Sequence, residues 1–91
     1  TGVYAVQILV QNELYNGVCN VGYKPTFNNP DEKQLSIEVH ILNFDKNIYG
    51  EEVVVGWHKR IRSERKFSGI DALIEQIELD KQQAIHYFEQ L

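Results

Sequence analysis

"EEVVVGWHKRIRSERKFSGIDALIEQIELD", residues 51–80, changes its period part-way along. Its first part, Glu51 to Ile61, is rich in β-branched side chains and reads as a strand, with Gly56 as the place for a bulge or a close backbone approach. Beyond a basic passage, Ile70, Leu73, Ile74, Ile77, Ala84, Ile85, Phe88 and Leu91 recur at helical spacing. Ser68, with Asp71 three positions on, has the form of a capping box. The pattern predicts one long C-terminal helix from Ser68 to Leu91, roughly 35 Å at 1.5 Å per residue.

Everything upstream reads as β. Val3 to Val10 is apolar apart from Gln7, which suits a strand covered on both faces, and Gln11-Asn12-Glu13 ends it. The Asn16-Gly17 dipeptide is a tight-turn signal ahead of a second apolar stretch, Gly17 to Val21, and the two stretches are expected to pair. Residues 22–34 hold both prolines and the pair Asn28-Asn29 without periodicity, so they are read as a flap. Ser36 to Leu42 alternates, with Ile37, Val39 and Ile41 on one face and Glu38, His40 and Leu42 on the other. Strands followed by one helix imply a small, mainly β fold: an antiparallel barrel or strongly bent sheet carrying the helix. The order excludes a βαβ arrangement.

A chain of 91 residues holds one domain, and 43% hydrophobic with 24% charged residues places it among folded proteins. A net charge of −4 argues against bulk attraction to nucleic acid or to an anionic membrane. Even so, five of the nine basic residues (Lys59, Arg60, Arg62, Arg65, Lys66) crowd into one short segment ahead of an acidic helix. Cys19 is the single cysteine, which excludes an internal disulfide or thiolate cluster and fits a reducing cytoplasm. No apolar run approaches the ~20 residues of a membrane-spanning helix, and the first residues, "TGVYAVQILV", lack the basic n-region of a signal peptide. That strand is already under way at the second or third residue, so the chain is expected to be a piece of a longer protein.

Glu38 is the first candidate for chemistry: among apolar strand neighbours a carboxylate can be partly desolvated and serve as a proton acceptor, or it is simply solvated on an open face. His40 shares that face and is given no catalytic role. In the flap, Pro25 fixes the backbone while Thr26, Asn28 and Asn29 offer groups able to wrap a phosphate or a base edge; the alternative is a polar turn. Arg62 and Arg65 can present forks to a phosphate or stack on a ring, and Phe67 can add an aromatic face; the alternative is a basic strand end followed by a core phenylalanine. "DKNIYGEE" looks superficially like a calcium loop, but Tyr49 and Gly56 stand where oxygen ligands are needed, and that reading is rejected.

Five segments in order, "GVYAV" (2–6), "NVGYKPTF" (20–27), "IEVHIL" (37–42), "IYG" (48–50) and "IRSERKF" (61–67) followed by "ALIEQIELD", resemble the riboflavin kinase domain over almost the whole chain. In bacteria this is the C-terminal half of a bifunctional riboflavin kinase/FAD synthetase. The resemblance implies a six-stranded Greek-key β-barrel with a C-terminal helix, residues 1–91 forming one such domain, and ATP-dependent phosphorylation of riboflavin to FMN. It makes Glu38 the catalytic proton acceptor, brings Ile41, Asn43 and Tyr49 near ATP, and puts Arg62, Arg65 and Phe67 on a flap over the flavin. The "KPTF" loop becomes a first flap nearer the nucleotide, and the helix covers an end of the barrel. Asn43 stands where family members usually have Asp. The family's Gly-rich segment and "PTAN" motif, which handle Mg2+ and ATP, would lie upstream, so the magnesium site and first strand are expected outside this chain. Three further expectations follow. The chain alone turns over little, an adenylyltransferase domain shares the parent protein, and an exposed sheet edge lets the piece dimerise. The competing reading is a noncatalytic small β-barrel that binds nucleotide or RNA, or docks a partner domain, through its cationic strand end.

Overall fold

A computed structural model of the chain describes residues 1–48 and 50–91; Tyr49, expected near ATP, lies outside the described residues. Four strands, β1 (Gly2–Val10), β2 (Glu13–Pro25), β3 (Lys33–Ile41) and β4 (Val53–Arg62), precede the helix α1 (Ile70–Glu89). They form one antiparallel sheet in the order β3-β2-β1-β4. Three strands joined by successive hairpins and a fourth returning beside the first make a Greek key. The antiparallel, helix-bearing β fold is as expected. Where a six-stranded barrel was implied, the described residues form four strands in an open sheet with β3 and β4 at its edges.

β1 is central because its sequence can be buried on both sides. Val3, Ala5, Val6, Ile8 and Val10 are at most 2% exposed. Val3 and Ala5 pack with Val18, Leu42, Ile61 and the helix residues Ala84, Tyr87 and Phe88. On the opposite face, Val6, Ile8 and Cys19 pack with Tyr4, Val21, Ile41 and Val55. α1 therefore covers one face only.

Local chemistry misleads at three points. β1 and β2 pair as expected, but the turn between them is Gln11-Asn12, with φ of 51° and 64°, closed by the Val10–Glu13 pair. Asn16-Gly17 lies inside β2, where Gly17 stands opposite Val6 and Ile41. A Cβ there would come within 2.5 Å of Ile8 Cδ1 and 2.7 Å of the His40 carbonyl oxygen, so the glycine serves close packing, not a turn. The bulge expected at Gly56 is also displaced: Gly56 pairs regularly with Gln7, and the register shifts fall between Val3 and Tyr4 and between Ala5 and Val6, leaving His58 and Ile61 as the extra residues of β4. Of the supposed flap over residues 22–34, residues 22–25 and 33–34 are strand and residues 26–32 form the loop at the tip of the β2–β3 hairpin.

The helix starts later than predicted. Gly69, not Ser68, is its N-cap, in extended conformation and without a side-chain cap. The stripe is also divided. Ala84 is fully buried, while Ile70, Leu73, Ile74 and Ile77 remain 39–71% exposed. The C-terminal half of α1 thus closes the core, and its N-terminal half leaves apolar surface for something else.

Candidate functional site

That surface forms one wall of a cleft of about 490 Å³. The β2–β3 pairing explains the facing wall: Asn20 stands opposite Glu38 and Val18 opposite His40, all on the helix side of the sheet. Lys24 joins them from the end of β2. Arg62, Glu64, Arg65 and Phe67 close the cleft from the basic segment, and α1 supplies Leu73, Ile77, Asp80 and Lys81. A cleft of this size, mostly apolar with a few converging polar groups, is of the kind that takes a small molecule.

Glu38 faces the cleft and is solvated there, the second of the two environments the sequence left open for it. Its side chain is 57% exposed and forms an ion pair with Lys24, itself 62% exposed, while Ser36 Oγ donates to the same carboxylate over 3.5 Å. The pairing keeps the carboxylate at the mouth, as an acceptor already holding a cation. Arg65 lies over the Phe67 ring, with its guanidinium carbon 4.8 Å from the ring centroid, and Arg62 lies 5.8 Å from the same centroid. Arg62 is not a free fork. Its Nε and Nη2 donate to the two carboxylate oxygens of Asp80, each over 2.8 Å. The structure thus brings together Glu38, Arg62, Arg65 and Phe67.

Ile41 and Asn43 lie elsewhere. Strand alternation turns Ile41 to the other face, against Val6, Ile8 and Cys19. Asn43, with φ of 53°, lines a second cleft of about 510 Å³ bounded by Leu14, Tyr15, Leu42 and the end of α1. The "KPTF" loop is folded on itself: Thr26 Oγ1 donates to the Asn29 carbonyl over 2.6 Å and accepts from the Asn29 amide over 3.2 Å. The amide of Asp31 donates to Asn29 Oδ1 over 3.2 Å, and the Phe27 ring is fully exposed.

Sequence reasoning missed Lys24, Leu73, Ile77 and Asp80. Asp80 carried a legible signal, since it interrupts the helical stripe between Ile77 and Ala84 and is only 3% exposed. A carboxylate in that position needs a partner. Lys24 carried none: only the register of two strands puts it beside Glu38.

Among the described residues, no three His, Cys, Asp or Glu side chains stand close enough to share a metal ion. Among the described residues, no helix is long and apolar enough to cross a membrane.

The chain is 58% identical over its full 91 residues to the bifunctional riboflavin kinase/FMN adenylyltransferase of Bacillus subtilis, covering 29% of that protein. It is 44% identical over 90 residues to the protein of the same name from Listeria monocytogenes, covering 99% of this chain and 28% of that protein. The chain therefore spans less than a third of the length of these relatives. Among solved structures, a chain described as a macrolide-efflux protein from Streptococcus pneumoniae matches with a TM-score of 0.76 and 37% identity, over 89% of this chain and 26% of that one. The family model for flavokinase, riboflavin kinase, matches residues 1–88, and the chain belongs to that family.

Proposed function

We propose that this chain carries the cleft in which riboflavin is phosphorylated by ATP to give FMN. The observation that carries the reading is the convergence, on one cleft, of an accessible carboxylate at Glu38 and a cationic–aromatic pair at Arg65 and Phe67. A fused heteroaromatic ring fits against such a pair. One of its faces stacks on the Arg65–Phe67 pair, and its methyl-bearing edge meets Leu73 and Ile77. The polyol tail then runs toward Glu38. The terminal hydroxyl oxygen attacks the γ-phosphorus, its proton passes to the Glu38 carboxylate, and ADP leaves. Lys24 must give up or share Glu38 as the hydroxyl arrives.

The nucleotide side of the reading rests on Asn43 and the second cleft, since the Ile41 side chain is turned to the opposite face and Tyr49 lies outside the described residues. Asn43 lies two residues beyond the end of β3 and lines the second cleft, apart from the one that holds Glu38. A divalent ion neutralises charge on the phosphates in this chemistry. The described residues offer no cluster that fits it, and none is assigned to it here. An adenylyltransferase domain in the same protein and a reducing cytoplasmic setting belong to the same proposal.

The test is FMN formation from riboflavin and ATP by the full-length gene product. Glu38→Gln is expected to lower turnover by about 10²–10⁴-fold while riboflavin and ATP affinities hold, because it removes proton acceptance and keeps shape. Unchanged turnover would remove Glu38 from the mechanism. Flavin fluorescence separates this reading from a noncatalytic polyanion-binding module: quenching that survives high salt supports a flavin cleft, and salt-sensitive binding of any polyanion opposes it.

A further inference from the structure

The segment from Ser63 to Ser68 is held in place by very little backbone. Among the described residues it makes no backbone–backbone hydrogen bond, yet it carries Arg65 and Phe67, the wall of the cleft. Its geometry is set by side chains, and most of these ties converge on one helix face. Asp80 takes the bidentate fork of Arg62 at the root of the segment. The spare Nη1 of Arg62 donates to the Ser63 carbonyl over 3.2 Å, so the same guanidinium also fixes the direction in which the chain leaves β4. Gln76, one turn before Asp80, donates its amide to Asp80 Oδ1 over 3.0 Å and accepts from Arg65 Nη1 over 3.2 Å. Phe67 is left facing both guanidinium groups. A further tie is steric: the Glu64 carboxylate lies over Gly22, where a Cβ would come within 2.6 Å of its Oε1.

Burial makes the arrangement costly if stability were its only purpose. Asp80 and Arg62 have side chains only 5% and 19% exposed, and a buried ion pair often adds no net stability over apolar residues of the same volume. What it does confer is a fixed angle. We infer that Asp80, acting through Arg62 and seconded by Gln76, is a positioning residue that holds the 63–68 segment so that Arg65 and Phe67 present one face to a planar ring. The inference deepens the functional reading above, and rests on it for the identity of the ring.

The test uses Asp80→Asn, which leaves Arg62 half-paired, and the double substitution Arg62→Met with Asp80→Leu, which exchanges the buried pair for apolar bulk. Three quantities are read on the full-length gene product: the melting temperature, backbone amide order parameters for residues 63–68, and FMN affinity by fluorescence quenching. In the double variant the melting temperature is expected to hold while order parameters fall from about 0.85 to below about 0.6. FMN affinity weakens about tenfold, the equivalent of one well-placed cation–ring contact. In the full-length gene product the KM for riboflavin rises and kcat changes little. A double variant that melts as the wild type does and keeps both order and affinity overturns the inference. One that fails to fold does so too, by making the pair a stability element. A wild-type protein that ignores FMN defeats the flavin reading instead, and the order parameters then judge the latch by themselves.

Discussion

Glu38 is poised by contacts that are easily undone. Its pair with Lys24 lies in water, with both side chains more than half exposed, so it contributes on the order of 0.2–1 kcal/mol at most. Lys24→Met is therefore expected to leave stability within about 1 kcal/mol of wild type in denaturant titration. A larger loss would show that the cation organises the hairpin. Cys19 is the opposite case. It is fully buried, and burial pushes its thiol above the ordinary value of 9.0. The folded state thus holds the proton more tightly than the unfolded chain. The resulting stabilisation is fully present below pH 9 and is lost as pH rises above that toward the folded value. Melting curves of wild type and Cys19→Ala should keep a constant gap up to about pH 8.5 and converge at higher pH. A gap that widens with pH would contradict the sign.

Hairpins and caps show how far local chemistry reaches. The two-residue β1–β2 turn uses Gln11 and Asn12 in left-handed geometry, the mirror-image turn that strand twist favours, although Gln is poorly suited to positive φ. Replacing the pair by Asn-Gly should stabilise the protein by about 0.5–1 kcal/mol, a rise in melting temperature of several degrees for a domain of this size. No rise would mean that the flanking strand pairs alone set the turn. The helix offers a parallel lesson. Expected to cover an end of the barrel, it meets the sheet only through the half around Ala84 and Phe88, while Ile70, Leu73, Ile74 and Ile77 stay exposed. The remainder becomes the apolar wall of a cleft, and the acidic residue within it becomes the anchor for a basic segment.

The whole molecule depends on β1 and β2 lying close enough for Ile8 to fill the space over Gly17. Gly17→Ala puts a methyl group against Ile8 and against the His40 carbonyl of β3, and should cost about 1–3 kcal/mol by thermal or chemical denaturation. A neutral effect would place slack in the sheet centre. Strand content, the single helix, the central place of β1 and the face-sharing of Glu38 with His40 were legible in the chain, because alternation and helical spacing are local properties of the covalent sequence. So were the residue types of the site, through five short segments in family order. Register, turn position and pairing were not. Asn16-Gly17 carries a turn signature and yet lies mid-strand, because the contacts of a central strand outweigh a dipeptide preference of a few tenths of a kcal/mol to about 1 kcal/mol. The union of Lys24 with Glu38 and of Arg62 with Asp80 joins residues 14 and 18 positions apart. Side-chain type along one chain sets what each residue can do; which of them meet is decided only when the Greek-key return of β4 carries the basic segment to the helix that follows it.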